Sequence, residues 1–113
     1  MTSDNFVAEL SKFPLAFSPG NYWEYGRSTD VLGRVIEIVT NSSLDNYLQI
    51  NLFDPLNMND TGFFVKKENW NRIAEPFKEK EPTLINIREK PIFAKGGHGL
   101  VSTVSDYLNF CHI

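Results

Sequence analysis

The chain is poor in the residues that staple, span or track charge. One cysteine, Cys111, excludes an internal disulfide and leaves the redox compartment open. Two histidines, His98 and His112, give no metal-ligand spacing, and no metal is expected. The longest basic run is the Lys66-Lys67 pair in a chain of net charge −3, which argues against a phosphate-tracking surface and against nucleic acid as a partner. No apolar stretch approaches the ~20 residues that cross a bilayer, so no membrane span is expected. The N-terminus lacks the basic start and apolar run of a signal peptide, and the compartment is left open.

What is there is ordinary for a globular segment: 113 residues, 42% hydrophobic and 22% charged, with room for one modest core. Ser3 or Asp4 can cap a short helix carrying Phe6, Val7 and Leu10, after which Pro14 and Pro19 impose an extended or turning path. Ser28 or Thr29 can cap a second helix with Val31, Leu32, Val35, Ile36 and Val39 on one broad face. These residues also suit strands, but the i, i+4 spacing and the start signal favour a helix. Thr40-Asn-Ser breaks it, and Ser43 caps a third helix with Leu44, Tyr47, Leu48 and Leu52 in register, ended by Asp54-Pro55.

Residues 66 to 90 hold 12 of the chain's 25 charged residues and read as a largely irregular excursion, either a substrate-side loop or a plain surface connection. Within it, 69–77 can form a short helix and 83–87 is the one plausible strand. The Gly96-Gly97-His98-Gly99 run permits positive φ and close backbone packing before a last helix with Thr103 as cap and Asp106 at its third position. On that helix Val104, Tyr107, Leu108 and Cys111 have the spacing of a buried stripe, which makes Cys111 a core residue. The helix runs to Ile113 without Gly, Asn or Pro to stop it, so the chain is expected to be a fragment.

The most informative stretch is 19–33, where a Pro-Gly turn delivers Tyr22, Trp23 and Tyr25 to the start of the second helix. A tyrosine at such a junction can face a cleft while the helix behind it is held by packing, though the cluster can equally be a satellite of the core. Glu24, Asp30 and Glu37 could suggest paired carboxylates, but Asp30 suits the first turn of the helix and Glu37 its polar face, and the pairing is set aside. His98 has no acidic partner specified by the sequence and reads as a loop histidine.

Five phrases extend this window. Phe17-Ser-Pro-Gly-Asn-Tyr-Trp-Glu-Tyr25, Thr29-Asp-Val-Leu-Gly-Arg-Val-Ile-Glu37, Leu52-Phe-Asp-Pro-Leu-Asn-Met58, Asp60-Thr-Gly-Phe63 and Gly96-Gly-His-Gly-Leu-Val-Ser-Thr-Val-Ser-Asp-Tyr107 stand in the order found in the β-lactamase-related serine hydrolases. The chain resembles most the branch of class C β-lactamases and the esterases sharing their penicillin-binding-protein-like fold; 64–95 match weakly. The resemblance implies that residues 1–113 are one partial domain. They would be the mainly α, helical portion of an α/β fold whose antiparallel sheet lies mostly outside this chain.

By matching position the resemblance makes Tyr25 the catalytic tyrosine of a Tyr-x-Asn motif. A phenol with an ordinary pKa of ~10 is a poor base at neutral pH, and in the family two lysines of other motifs let it relay a proton. Arg27 stands where the motif has Asn; guanidinium only donates, which favours the esterase-like members and offers Arg27 as a substrate-binding residue for a carboxylate, with an exposed arginine of no role as the alternative. The nucleophile motif is missing, since no serine has Lys three positions later and no Gly-x-Ser-x-Gly occurs. Lys95-Gly96-Gly97 leads into a helix and is set aside as an oxyanion motif.

The reading is therefore a portion of a serine hydrolase that cleaves small ester or amide substrates through an acyl-serine. It is more esterase than β-lactamase, needs no cofactor, and is inactive as this chain alone. The rivals are a non-catalytic remnant of the same fold serving as a binding or structural module, and a small autonomous helical module.

Overall fold

The computed structural model describes residues 1–75 and 85–113. The mainly helical character expected from the sequence is what it has: among the described residues there are four α-helices, α1 (Ser3–Leu10), α2 (Ser28–Thr40), α3 (Leu44–Leu48) and α4 (Val104–Cys111). A π-helical turn at Gln49–Phe53 and a 3-10 turn at Lys67–Arg72 complete the helical part. Strand pairing among the described residues is one antiparallel bridge between Gly62 and Val101. Of the strand expected at 83–87, residues 83 and 84 lie outside the described residues and 85–87 are not strand; Ile87 gives only its carbonyl to Val65 N at 2.7 Å.

The chain divides into two compact units, Met1–Tyr47 with Ile92–His98, and Leu48–Pro91 with Gly99–Ile113.

In the first unit α1 packs on α2. The cap of α1 is Thr2, one residue before the expected Ser3, because its hydroxyl accepts from Asn5 N. Ser3 is thereby free to donate to Glu37 Oε2 on α2 at 2.6 Å, beside an Arg34–Asp4 ion pair. Glu37 is not on a solvated face: it also accepts from Arg34 and, through Oε1, from Leu44 N at 3.2 Å. Leu44 N is one of the orphan donors at the start of α3, so Glu37 ties three helices through one carboxylate. Asn41, at φ 51, ends α2 in the left-handed region that Asn tolerates.

Mid-helix glycine weakens a helix, yet Gly33 is buried in α2 for a reason. A Cβ there would meet Leu44 Cδ2 at 3.0 Å and Gly96 N at 3.3 Å. At Gly96 itself a Cβ would fall 2.1 Å from Thr29 O, so the Gly-rich loop lies backbone to backbone on the first turns of α2. Leu44 and Ala94 are the buried hydrophobics of this unit, and the Phe6 and Phe93 rings meet at 6.1 Å.

In the second unit the ladder of the π turn closes from Asp54 N to Gln49 O at 2.9 Å. Pro55, which has no N–H, ends the helical segment. Phe53 and Met58 are buried. Thr103 caps α4 as expected, accepting from Asp106 N. Asp106 turns its own carboxylate away from α4, and Oδ2 accepts from Asp60 N and Thr61 Oγ1, both at 2.8 Å. The expected stripe of α4 is not core: Val104, Tyr107, Leu108 and Cys111 are all exposed, and the residue that α4 buries is polar Asp106.

Candidate functional site

The segment 22–25 runs without helix into α2, whose cap position is Arg27 rather than Ser28 or Thr29. The cause is the use made of the first turn. Thr29 and Asp30 face the Gly-rich loop, and Asp30 Oδ1 accepts from Gly97 N at 2.9 Å instead of serving the helix's own N–H groups. The sequence placed Asp30 in a helix turn for its charge; the structure makes it a buried staple across 67 residues, with a side chain 3% exposed.

The junction borders an open cleft of about 510 Å³ lined by Tyr25, Arg27, Thr29, Asp30 and His98 with the backbone of Gly26 and Gly97. Tyr25 is 83% exposed, and Tyr22 and Trp23 are exposed with it; Tyr22 meets Phe17 in a T-shaped pair with centroids 5.4 Å apart. The aromatic cluster is thus not a core satellite. Arg27 is 60% exposed and stands 3.5 Å from Asp30 Oδ2, longer than a good hydrogen bond.

His98 lies in a loop, as the sequence reads it, with Nδ1 3.9 Å from Asp30 Oδ1 and a side chain one-third exposed on the cleft wall. Tyr25 and Arg27, singled out from the sequence, are thus brought together with two residues it had set aside. The signal that could have found Asp30 is the glycine pair at 96–97, since glycines needed for close approach imply a partner backbone with something to hold it. No serine with a neighbouring lysine amine belongs to the cleft lining.

Among the described residues no helix is long and apolar enough to cross a membrane. Over residues 2–112 the sequence matches the family model described as Beta-lactamase. It is 33% identical over 114 residues to lovastatin esterase of Penicillium rubens, covering 90% of this chain and 28% of that protein. It is 33% identical over 86 residues to esterase EstB of Burkholderia gladioli, covering 76% of this chain and 21% of EstB. With monacolin J acid methylbutanoyltransferase of Aspergillus terreus it shares 38% over 108 residues, 88% of this chain and 26% of the transferase. The chain therefore spans under a third of the length of these relatives. A match running from residue 2 to residue 112, through the Tyr25 segment, the α2 phrase and the Gly-rich loop alike, places the chain in the β-lactamase family.

Proposed function

We propose that this chain carries the proton-relay side of a serine ester hydrolase, with Tyr25 as the relay and Arg27 as a substrate contact. The observation that carries the reading is the placement of an exposed Tyr25 on a cleft beside Arg27 and His98, in the segment where the family has its catalytic tyrosine. Two of these relatives are named as esterases and one as a methylbutanoyltransferase, an acyl-transferring enzyme, which supports the reading. In the proposed reaction a serine from a Ser-x-x-Lys motif, which these 113 residues do not contain, attacks the ester carbonyl. Tyr25 takes the serine proton and passes it to the departing alcohol; water then gives a proton to Tyr25 as it attacks the acyl-serine, and that proton returns to the serine as the acid leaves. The arrangement fits a small acyl ester better than a β-lactam, because Arg27 cannot both donate to and accept from a side-chain amide.

The test uses the full-length natural protein containing this chain, with p-nitrophenyl butyrate as substrate. Tyr25→Phe is expected to lower kcat/KM by ~10²–10⁴, the size of general-base contributions. Unchanged turnover would remove Tyr25 from the mechanism. A full-length protein that holds no Ser-x-x-Lys and hydrolyses no ester would instead be the non-catalytic remnant, binding through the same cleft.

A further inference from the structure

We propose that Trp23 sets specificity by bearing the hydrocarbon part of the substrate, an ester whose saturated acyl chain is long enough to leave the cleft; the inference rests on the hydrolase reading and names its substrate class. The starting point is what the cleft lacks. Its lining is Tyr25, Arg27, Thr29, Asp30 and His98 with two glycines, and among the described residues no Leu, Ile, Val, Met or Phe belongs to it. Small-molecule sites are mostly apolar walls around a few polar groups, so this lining has the polar groups and needs a wall. The apolar surface that joins it along the chain is the run just before Tyr25.

From 13 to 23 no residue is charged, and Phe13, Leu15, Tyr22 and Trp23 are all exposed, Trp23 the most of the four at 83%. Local geometry decides which of these side chains is left to a ligand. The turn Ser18-Pro-Gly-Asn21 closes from Asn21 N to Ser18 O at 3.2 Å, with Pro19 followed by Gly20 at φ 88, the order that a type II turn requires. Across it Phe17 and Tyr22 form their T-shaped pair, which commits Tyr22 to the turn. Among the described residues Trp23 has no ring partner. Two positions separate it from Tyr25, about 7 Å of chain at most, so an ester with its carbonyl beside Tyr25 can run its acyl chain onto the indole.

The exposed apolar residues of α2 differ in kind. They recur at helical spacing, the pattern by which a helix packs on another element, whereas two prolines and a glycine deny the 13–23 run any regular face. An apolar patch of that sort beside polar groups is the mark of a ligand surface, and indole offers a large flat one with a single N–H.

The experiment compares p-nitrophenyl octanoate with p-nitrophenyl acetate on the full-length natural protein, at concentrations where neither ester aggregates. The wild type is expected to prefer the octanoate in kcat/KM. In Trp23→Ala the octanoate-to-acetate ratio falls about tenfold, roughly the effect of exposing two methylenes, and in Trp23→Phe most of it survives. Because the readout is a ratio within each variant, partial loss of folded protein cancels. If further chain of the full-length protein covers Trp23 instead, the ratio does not move in Trp23→Ala. That result, or a wild type that takes the two esters alike, overturns the inference and leaves the hydrolase reading standing. Hydrolysis of neither ester overturns both.

Discussion

Asp106 and Asp60 show how much of this chain rests on single carboxylates. Asp106 is buried and receives two donors from the turn at 60–61, while its own N–H is held by Thr103. Truncation would strand Asp60 N–H and the Thr61 hydroxyl, which Ser102 Oγ alone then meets at 2.8 Å. Asp106→Ala in the full-length protein is therefore expected to cost about 2–3 kcal/mol of stability, as for a lost hydrogen-bonding charged group, read as a lower urea midpoint with unchanged slope. A loss within error of zero would mean that water satisfies those donors.

Asp60 behaves differently because it is only partly buried and paired with Arg72, whose Nη1 and Nη2 reach its two oxygens at 3.0 and 2.6 Å. The Arg72 hydrogen bond holds the Asp60 carboxyl below the usual carboxylate range; slight desolvation opposes this and the Arg72 charge adds to it. The folded state thus binds this proton less readily than the unfolded one. The pair's contribution is complete above the ordinary carboxylate value near ~4 and is lost as pH falls through the lower folded value. Asp60→Asn should flatten the fall in stability below about pH 4, by a small amount that salt screens further. A slope identical to wild type in a urea series run from pH 5 to about pH 2 would show the pair to be inert.

At the scale of elements the informative contact is between α2 and the loop at 96–97. Gly96→Ala would force a methyl to 2.1 Å from Thr29 O, and since both partners are backbone neither can yield cheaply. The expected cost is about 1–3 kcal/mol or a displaced loop, against a near-neutral Gly26→Ala, where a Cβ meets nothing within 4 Å. Equal thermal midpoints for the two variants would contradict the close packing. This contact also marks where the sequence stopped being legible. The positions of α1, α2 and α4, the break at Asn41 and the Thr103 cap are local signals of periodicity and side-chain chemistry, and they were readable. Tyr25 and Arg27 were readable as candidates, not as proven site residues, because they sit at a junction whose phrase resembles a family. The placement of Asp30 and His98 in the cleft was not, since it comes from an encounter between residues 67 or 68 positions apart that no local pattern encodes. The Cys111 stripe was misread for the converse reason: helical spacing says which side chains share a face, not whether that face is covered.

At the scale of the whole chain that uncovered surface becomes the dominant physical fact. Among the described residues the buried hydrophobics are Leu44, Phe53, Met58 and Ala94, while Leu32, Val35 and Val39 on α2 and Val104, Tyr107 and Leu108 on α4 are exposed. Helices hold their shape in proteins chiefly by burying such faces, each fully buried large apolar side chain contributing roughly 1.5–3 kcal/mol. Four buried side chains offset little of the ordering entropy of a chain this long, which runs to about 1–2 kcal/mol per residue. The isolated 113 residues are therefore expected to unfold over a broad temperature range with a weak near-ultraviolet signal and to bind a hydrophobic dye. The full-length natural protein, by the same argument, should melt cooperatively and bind the dye far less if further chain covers α2 and α4. Calorimetry on the two proteins side by side decides the matter. A sharp, reversible, concentration-independent transition of the isolated monomer would mean that these 113 residues form an autonomous module, and that the exposed faces of α2 and α4 are surface by design.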